Sequence, residues 1–368
     1  MTEPLRLAIL GATGSIGTQA LDVVRAHPDR LRVVALGANR SSAALRELAV
    51  EFPRARTALG ANALVALATD PDAELVLVAT PGVAALRATV AALEARKRVA
   101  LANKEVLIAA GHLIRALSGG AGDRLRPVDS EHSGLWQCLV GEDLANVRRV
   151  AVTASGGAFR DVPLEALPGV TPQHALRHPT WRMGPKVTID SATLVNKGYE
   201  VVETHWLYGL PYDRIEVVYH PESLIHALVE YVDGSVKAQL AEPDMRLPIQ
   251  YALLWGRAPS AVPRFEWAAA RTMRFGPIDA ARYPCFRVVL DAARSADPGA
   301  LIGVSAADEV AVERFLRGQI PFTDIAGLLE RGAELGASRH LRAEPDLDEI
   351  LAIDAAVRAG LEKAPAVA

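Results

Sequence analysis

A chain of 368 residues with a formal charge of −3, half of it hydrophobic and 23% charged, has room for two or three folded domains and lacks the basic excess of a general nucleic-acid binder. Its two cysteines, Cys138 and Cys285, stand far apart and outside any CxxC or Cys/His pattern, which argues against a disulfide framework and a structural zinc site. No apolar run approaches the roughly 20 residues of a membrane helix. The strand-like Leu5–Leu10 comes too early to leave room for a targeting segment. A cytoplasmic protein is expected, with neither membrane nor nucleic acid as partner.

The first part alternates short apolar runs with helical periodicity. Arg6–Leu10, Arg32–Leu36, Leu75–Ala79 and Arg98–Leu101 read as strands, and Gly17–Ala26, Ser42–Glu51 and Val83–Glu94 as helices. This βαβ rhythm predicts a parallel sheet covered on both faces. After the first strand, Gly11-Ala12-Thr13-Gly14-Ser15-Ile16-Gly17 spaces its glycines so that the backbone can turn tightly against a pyrophosphate, while the helix start offers free N–H groups. The spacing is GxxGxxG rather than GxGxxG, so the strand–turn–helix context carries the reading more than the motif. The second strand runs into Gly37-Ala38-Asn39-Arg40-Ser41-Ser42, with no acid to hold a ribose 2′-OH. Arg40 can pair with a 2′-phosphate, and Asn39 and Ser41 can bond to it, which favours NADP over NAD; otherwise Arg40 is a solvated loop charge.

Near Arg126–Ser130 the pattern becomes Gly-, Pro- and His-rich and α+β, with strands at Arg148–Thr153, Lys186–Asp190 and Ile215–Tyr219. A hairpin, Leu228–Val232 and Val236–Leu240, turns at Asp233-Gly234. Residues 156–185 carry five prolines and little periodicity, the character of a lid or binding loop. Asp129-Ser130-Glu131 follows a strand end. In extended backbone, residues two apart project to one side, so both carboxylates could meet on one cation; a solvated turn would account for two acids equally well. Lys186–Glu200 reads as a strand entering a helix, with Ser191 near the helix start and Asn196, Lys197 and Glu200 on one face. Ser, Asn and Lys suit a phosphate, Glu200 suits a cation, and all-oxygen ligation selects Mg²⁺ or Mn²⁺ over zinc. Lys197 alone could also be a plain surface charge.

From Pro284 onward the pattern is helical: Phe286–Ser295, Ala306–Arg317, Phe322–Leu335 and Leu347–Lys363. The expected architecture is α/β, in three parts. A Rossmann-like parallel-sheet domain, residues 1–125, precedes a central α+β catalytic domain, 126–265, with a flexible lid at 156–185. A linker, 266–283, then leads to a C-terminal helical bundle domain, 284–368.

Several stretches, taken in order, resemble the 1-deoxy-D-xylulose 5-phosphate reductoisomerase family over nearly the whole chain. They are Gly11–Gly17, Leu101–Glu105, Pro127–His132, Ser155–Gly157, His178–Gly184, Asp190–Thr193, Asn196–Gly198 with Glu200, His220-Pro221, Ser223–His226, Gly234-Ser235 and Glu242–Arg246. The resemblance implies an NADPH- and metal-dependent (Mg²⁺, Mn²⁺ or Co²⁺) enzyme of isoprenoid precursor synthesis. Its substrate would be a small phosphorylated ketose, rearranged to a branched aldehyde and reduced to 2-C-methyl-D-erythritol 4-phosphate. By the same resemblance Thr13, Gly14, Ser15 and Ile16 hold the cofactor phosphates, and Asn103, Glu105 and Gly184 lie against the cofactor. Asp129, Glu131 and Glu200 bind the metal. Ser155, Ser191, Asn196 and Lys197 hold the substrate phosphate beside His178, while Lys104 and Ser130 reach the substrate. Trp181 and Met183 pack over it, and His226 supports the site or is an ordinary sheet histidine. Lys104, Asp129, Glu131, His178 and Glu200 form the implied catalytic set, and a homodimer is expected.

The chain departs from the family at Ala12, where Ser is common, and in the order Asn39–Ser41, which leaves that loop's register open by a residue. Leu59–Ala73 is shorter than in some relatives and is expected to trim a surface loop. Two other readings stand beside this one: a metal-independent NADP-dependent semialdehyde or sugar dehydrogenase, and a non-catalytic NADP-binding redox regulator.

Overall fold

The computed structural model describes residues 3–39, 42–269, 271–339 and 342–362. Strands β1 (Leu5–Leu10), β2 (Leu31–Ala38), β3 (Arg56–Leu59), β4 (Leu75–Val78), β5 (Arg98–Leu101) and β6 (Leu125–Pro127) alternate with helices α1 (Ser15–Ala26), α2 (Ser42–Glu51), α3 (Ala61–Ala68), α4 (Leu86–Glu94) and α5 (Glu105–Ser118). All six strands are parallel, in the order β3-β2-β1-β4-β5-β6. Leu7–Leu10 and the whole of β4 are buried without alternation, because helices cover both faces. Strand order reverses between β1 and β4, and a crevice opens there beyond the strand ends.

Gly11 makes the turn after β1 at φ +94°, where an added Cβ would lie 2.5 Å from the Ala79 carbonyl oxygen. At Gly17 a Cβ would lie 2.2 Å from the Gly11 oxygen, so α1 rests directly on the turn. Gly17→Ala should therefore lift the start of α1. A loss of about 1–3 kcal/mol in unfolding free energy is expected, together with dinucleotide affinity lower by about tenfold or more. Thermal melting and a fluorescence titration measure the two.

The region expected to be a trimmed surface loop instead holds α3, whose Leu64, Leu67 and Ala68 are buried against the sheet. Its sequence, ANALVALA, is apolar nearly all round, so no helical periodicity marks it.

Helix α6 (Ser130–Leu139) leads into a second sheet, built from β7 (Val147–Ala154), β8 (Ile215–Tyr219), β9 (Ile225–Tyr231) and β10 (Val236–Leu240) in the order β10-β9-β7-β8. Only β7 and β8 pair in parallel. Between β7 and β8 come α7 (Pro172–Ala175), α8 (Pro185–Thr193) and α9 (Val195–Tyr208). The predicted strand Lys186–Asp190 is thus helix. Pro185 occupies the first helical position after Gly184, a strong start signal that outweighs the β-branched Val187, Thr188 and Ile189. Helix α8 stops at Leu194, which is left-handed at φ 56° and buried, and α9 begins on a new axis one residue later. Apart from a 3₁₀ turn at Leu164–Gly169 and the four-residue α7, the segment 156–184 has no regular structure.

Helix α10 (Arg246–Leu254) returns to the first sheet, where Ile249, Ala252 and Leu253 share a core with Leu7, Leu21 and Leu36. The chain closes with α11 (Pro284–Arg294), α12 (Pro298–Leu316), α13 (Ile325–Ala337) and α14 (Leu347–Glu362). Helix α12 begins eight residues before the predicted Ala306. Gly299 and Gly303 do not break it, because they allow close backbone contact with Gly336 and Gly332 of α13. Helix α12 also packs on α5 and α8. Among the described residues no helix is long and apolar enough to cross a membrane.

Candidate active site

A cavity of about 340 Å³ lies beyond the ends of β1, β4 and β5 and runs on to α6, α8 and α9. On its wall are Gly14, Ser15 and Ile16, then Asn103, Lys104 and Glu105, then Asp129, Ser130 and Glu131. Ser155, His178, Trp181, Met183, Gly184, Ser191, Asn196, Lys197 and Glu200 complete the expected set there. Thr13 is half-buried in the glycine turn but off the wall, and Asn39 is exposed at the end of β2. Arg40 and Ser41 lie outside the described residues. His226 is buried behind Ser130 in a smaller adjoining pocket, its ring 5.9 Å from that of Trp181.

Asp129 and Glu131 converge for a reason other than the alternation of a strand. Asp129 is the N-cap of α6 and accepts the Glu131 backbone N–H at 3.2 Å, so the first helical turn folds both side chains to one place. Glu200 arrives from α9. Oxygen atoms of the three lie within 4.8 Å of one another. Two ammonium groups interleave with them. Lys104 pairs with Asp129 and reaches Glu200 and Glu203 at 3.3 Å, while Lys197 reaches Glu131 at 3.2 Å and Glu200 at 2.5 Å. Burial opposes the Asp129 charge, but Lys104 and His132 hold its pKa well below the usual range. Burial and the neighbouring Glu200 push Glu131 up to about 8. Two ammoniums and the proton on Glu131 hold the three carboxyl groups together, and an oxygen-only donor set of this kind fits a hard divalent cation that would replace that proton. Asn196 donates to Glu200 at 2.5 Å, yet its own buried carbonyl oxygen has no partner.

Neutral hydrogen-bonding groups gather at the other end of the cavity. His178 Nδ1 accepts the backbone N–H groups of Thr180 (3.1 Å) and Trp181 (2.9 Å), so the ring carries its proton on Nε2. That Nε2 lies 3.2 Å from Ser155 Oγ and 3.1 Å from Ser191 Oγ. Burial, with Arg160 nearby, pushes His178 down to about 4, so it is a neutral donor at pH 7. Gly157, at φ +69°, lets the Ser155 loop touch the backbone of Ser191 and Ala192, where a Cβ would lie 2.5 Å from the Ser191 oxygen.

Asn103 lines the cavity while its side chain bonds within the protein. Its amide donates to the Thr80 and Gly82 carbonyls at 2.7 and 2.9 Å, and its oxygen accepts the Val106 N–H at 2.8 Å. It braces the crevice and has little left for a ligand. The sequence assigned no role to Lys186, Asp190, Ser223 and Met245 on the wall, although the last three lie in family-matching stretches, nor to Glu203 just behind it. Ser223 is held in left-handed backbone at φ 54°, and the family-matching stretch Ser223–His226 was the sequence signal that could have marked it. Glu203 had a signal, its i,i+3 spacing from Glu200 on one helix face.

A glycine turn on a doubly wound sheet and an acidic cluster share this single cavity, the arrangement of a nucleotide-dependent enzyme whose substrate oxygens are held by a cation. Comparison narrows that class. Residues 7–57 and 53–111 match the 1-deoxy-D-xylulose 5-phosphate reductoisomerase model, residues 125–208 that enzyme's C-terminal domain model, and residues 240–360 a second DXP reductoisomerase C-terminal domain model. The chain is 48% identical to the 1-deoxy-D-xylulose 5-phosphate reductoisomerase of Thermomicrobium roseum over 95% of both chains. It is 46% identical to that of Geobacillus kaustophilus, over 96% of this chain and 97% of the relative. A crystal structure of DOX-P reductoisomerase in complex with NADPH, fosmidomycin and magnesium superposes with a TM-score of 0.92 at 34% identity, covering 97% of each chain. The enzyme from Zymomonas mobilis in complex with NADPH gives 0.86 at 36% identity, over 98% of this chain and all of that one. The chain belongs to the 1-deoxy-D-xylulose 5-phosphate reductoisomerase family.

Proposed function

We infer that this protein converts 1-deoxy-D-xylulose 5-phosphate to 2-C-methyl-D-erythritol 4-phosphate, using NADPH and a divalent cation, in isoprenoid precursor synthesis. The observation that carries the inference is the convergence of Asp129, Glu131 and Glu200 between a dinucleotide crevice and a Ser/His/Asn/Lys pocket. Relatives solved with NADPH and with magnesium support both cofactors.

Asp129, Glu131 and Glu200 would hold the cation, which when bound supplies Lewis acidity to the ketose oxygens, while NADPH supplies the hydride. Lys197 and Asn196 would take the substrate phosphate with Ser155 and Ser191. His178, being neutral, adds hydrogen bonding there, and the countercharge comes from Lys197. Lys104 and Ser130 face the middle of the substrate. Trp181, Met183 and Gly184 would cover it and exclude water, strengthening every charge interaction beneath. Gly14, Ser15 and Ile16, in the turn that Thr13 shapes, would receive the cofactor pyrophosphate; Asn39, Arg40 and Ser41 would receive its 2′-phosphate. Glu105, on the opposite side of the switch point, then lies at the nicotinamide end.

At pH 7 a Glu131 with a pKa of about 8 is largely protonated, and a cation must displace that proton. Apparent Mn²⁺ affinity should climb by up to about tenfold per pH unit toward pH 8 and level off above it. Calorimetry in buffers of different ionisation enthalpy should count close to one proton released per Mn²⁺ bound at pH 7. Binding with no proton release would remove Glu131 from the ligand set.

The working form we propose is a cytoplasmic homodimer divided as 1–125, 126–265, 266–283 and 284–368, with a lid at 156–185. Strand β10 is an open sheet edge flanked by exposed Val232 and Val236, which suits pairing with a second copy. Two free, buried cysteines suit a reducing compartment. The deciding assay follows NADPH oxidation with and without Mn²⁺, deoxyxylulose phosphate and a chelator. Dependence on both metal and ketose phosphate is expected; oxidation that survives the chelator would favour a metal-independent dehydrogenase.

A further inference from the structure

Lys186, the second residue of α8, joins three parts of the molecule. Its ammonium lies 3.0 Å from Glu105 at the start of α5, 2.7 Å from Asp190 on its own helix, and 2.5 Å from Asp308 on α12 of the C-terminal bundle. The Tyr199 hydroxyl also donates to Asp308, at 3.3 Å. Glu105, Lys186 and Asp190 line the cavity, whereas Asp308 is fully buried behind it. One ammonium therefore faces three carboxylates. Asp308 receives two donors on one oxygen; its other oxygen has no partner and burial raises its pKa as well, but the second donor leaves it the better placed of the two aspartates to stay charged. Asp190 has Lys186 alone, its other oxygen has no partner, and burial with Asp308 beside it pushes its pKa well above the usual carboxylate range. The cluster accommodates one proton, on Asp190, and still carries net negative charge.

That residual charge lies at the end of the crevice opposite the glycine turn, where the cofactor assignment above puts the nicotinamide. The ring is neutral in NADPH and cationic in NADP⁺, and positive charge grows on it as hydride leaves. Fixed negative charge beside the ring stabilises that change without reorganisation. We propose that Asp308, on a helix of the C-terminal bundle, is a positioning residue for the cofactor end of the cavity: by sharing Lys186 with Glu105 it keeps the Glu105 carboxylate only partly neutralised, so that the pocket favours the cationic, oxidised nicotinamide over the neutral, reduced one. The C-terminal bundle thereby reaches the redox chemistry through a single lysine.

The inference rests on the NADPH reading, and the test separates the two. Affinities of the intact protein for NADPH and NADP⁺ are measured by calorimetry without metal or ketose. In Asp308→Asn, Lys186 turns more fully to Glu105 and one negative charge is gone. NADP⁺ affinity should fall roughly fivefold, as Glu105 becomes more fully neutralised by Lys186, while NADPH affinity stays within twofold. Glu105→Gln should shift the ratio the same way, and adding Asp308→Asn to it should shift the ratio little further. Asp190→Asn, which replaces a protonated group, should leave the ratio within twofold. A folded Asp308→Asn protein with the wild-type ratio, or with both affinities reduced equally, overturns the proposal. Should that variant not fold, an unchanged ratio in Glu105→Gln overturns it instead. A wild-type protein that bound neither nucleotide would overturn the cofactor reading itself, and this inference with it.

Discussion

Glu200→Gln should lower cation-dependent turnover by about 10³-fold, the scale of losing several kcal/mol of charge stabilisation at a metal site, and leave NADPH affinity within a factor of two. Glu200 is 1% exposed, and both its oxygens are engaged: one by Asn196 and Lys104, the other by Lys197. The amide keeps the volume but removes a carboxylate charge and turns one acceptor oxygen into a donor facing an ammonium, that of Lys104 or Lys197. The partners of its carboxylate, Asn196, Lys104 and Lys197, all lie outside the glycine turn and the first sheet, so the nucleotide should bind as before. Steady-state rates with saturating Mn²⁺, paired with an NADPH titration, measure both halves. Near-normal turnover would detach Glu200 from the cation site and leave a generic oxidoreductase.

Lys197→Met should move two affinities in opposite directions. Its buried ammonium lies between Glu131 and Glu200, where it serves as counter-ion to the acids and also faces the anion pocket. Removing one partner of a buried charged set costs roughly 3–5 kcal/mol, and most of that loss should fall on the phosphorylated ketose. A fall of about 10²–10³-fold in kcat/KM is expected, with a parallel loss of inorganic phosphate binding. Mn²⁺, however, should bind the free protein more tightly, because a competing cation has left the carboxylates. If Mn²⁺ and phosphate binding both weaken, Lys197 is a brace for the acids and does not exchange between cation and anion.

What the sequence revealed, and what it hid, follows from the range of the forces involved. The first sheet was legible because buried parallel strands are continuous apolar runs, and the hairpin because Asp233-Gly234 fixes its turn. The shared face of Asn196, Lys197 and Glu200 was legible from helical spacing alone, since all three lie in the first two turns of α9. Lys186–Asp190 misled, because three β-branched residues in a row suggest a strand while the decisive signals, Pro185 and burial against α12, lie outside the run. The pairing of Asp129 with Glu131 was foreseen, but its cause is a helix cap and not an extended strand. Lys186 and Asp308 are 122 residues apart in the chain, and no local pattern announces a contact set by the packing of α8 against α12.

The bend at Leu194 has a bearing on substrate size. Ser191 lies before it on the cavity wall, and Asn196, Lys197 and Glu200 lie after it. A leucine held in left-handed backbone costs roughly 1–2 kcal/mol, so the packing around it must define that one torsion closely. That one joint in the main chain then fixes how far Ser191 on α8 stands from Asn196, Lys197 and Glu200 on α9, and so the spacing of polar groups along the cavity wall.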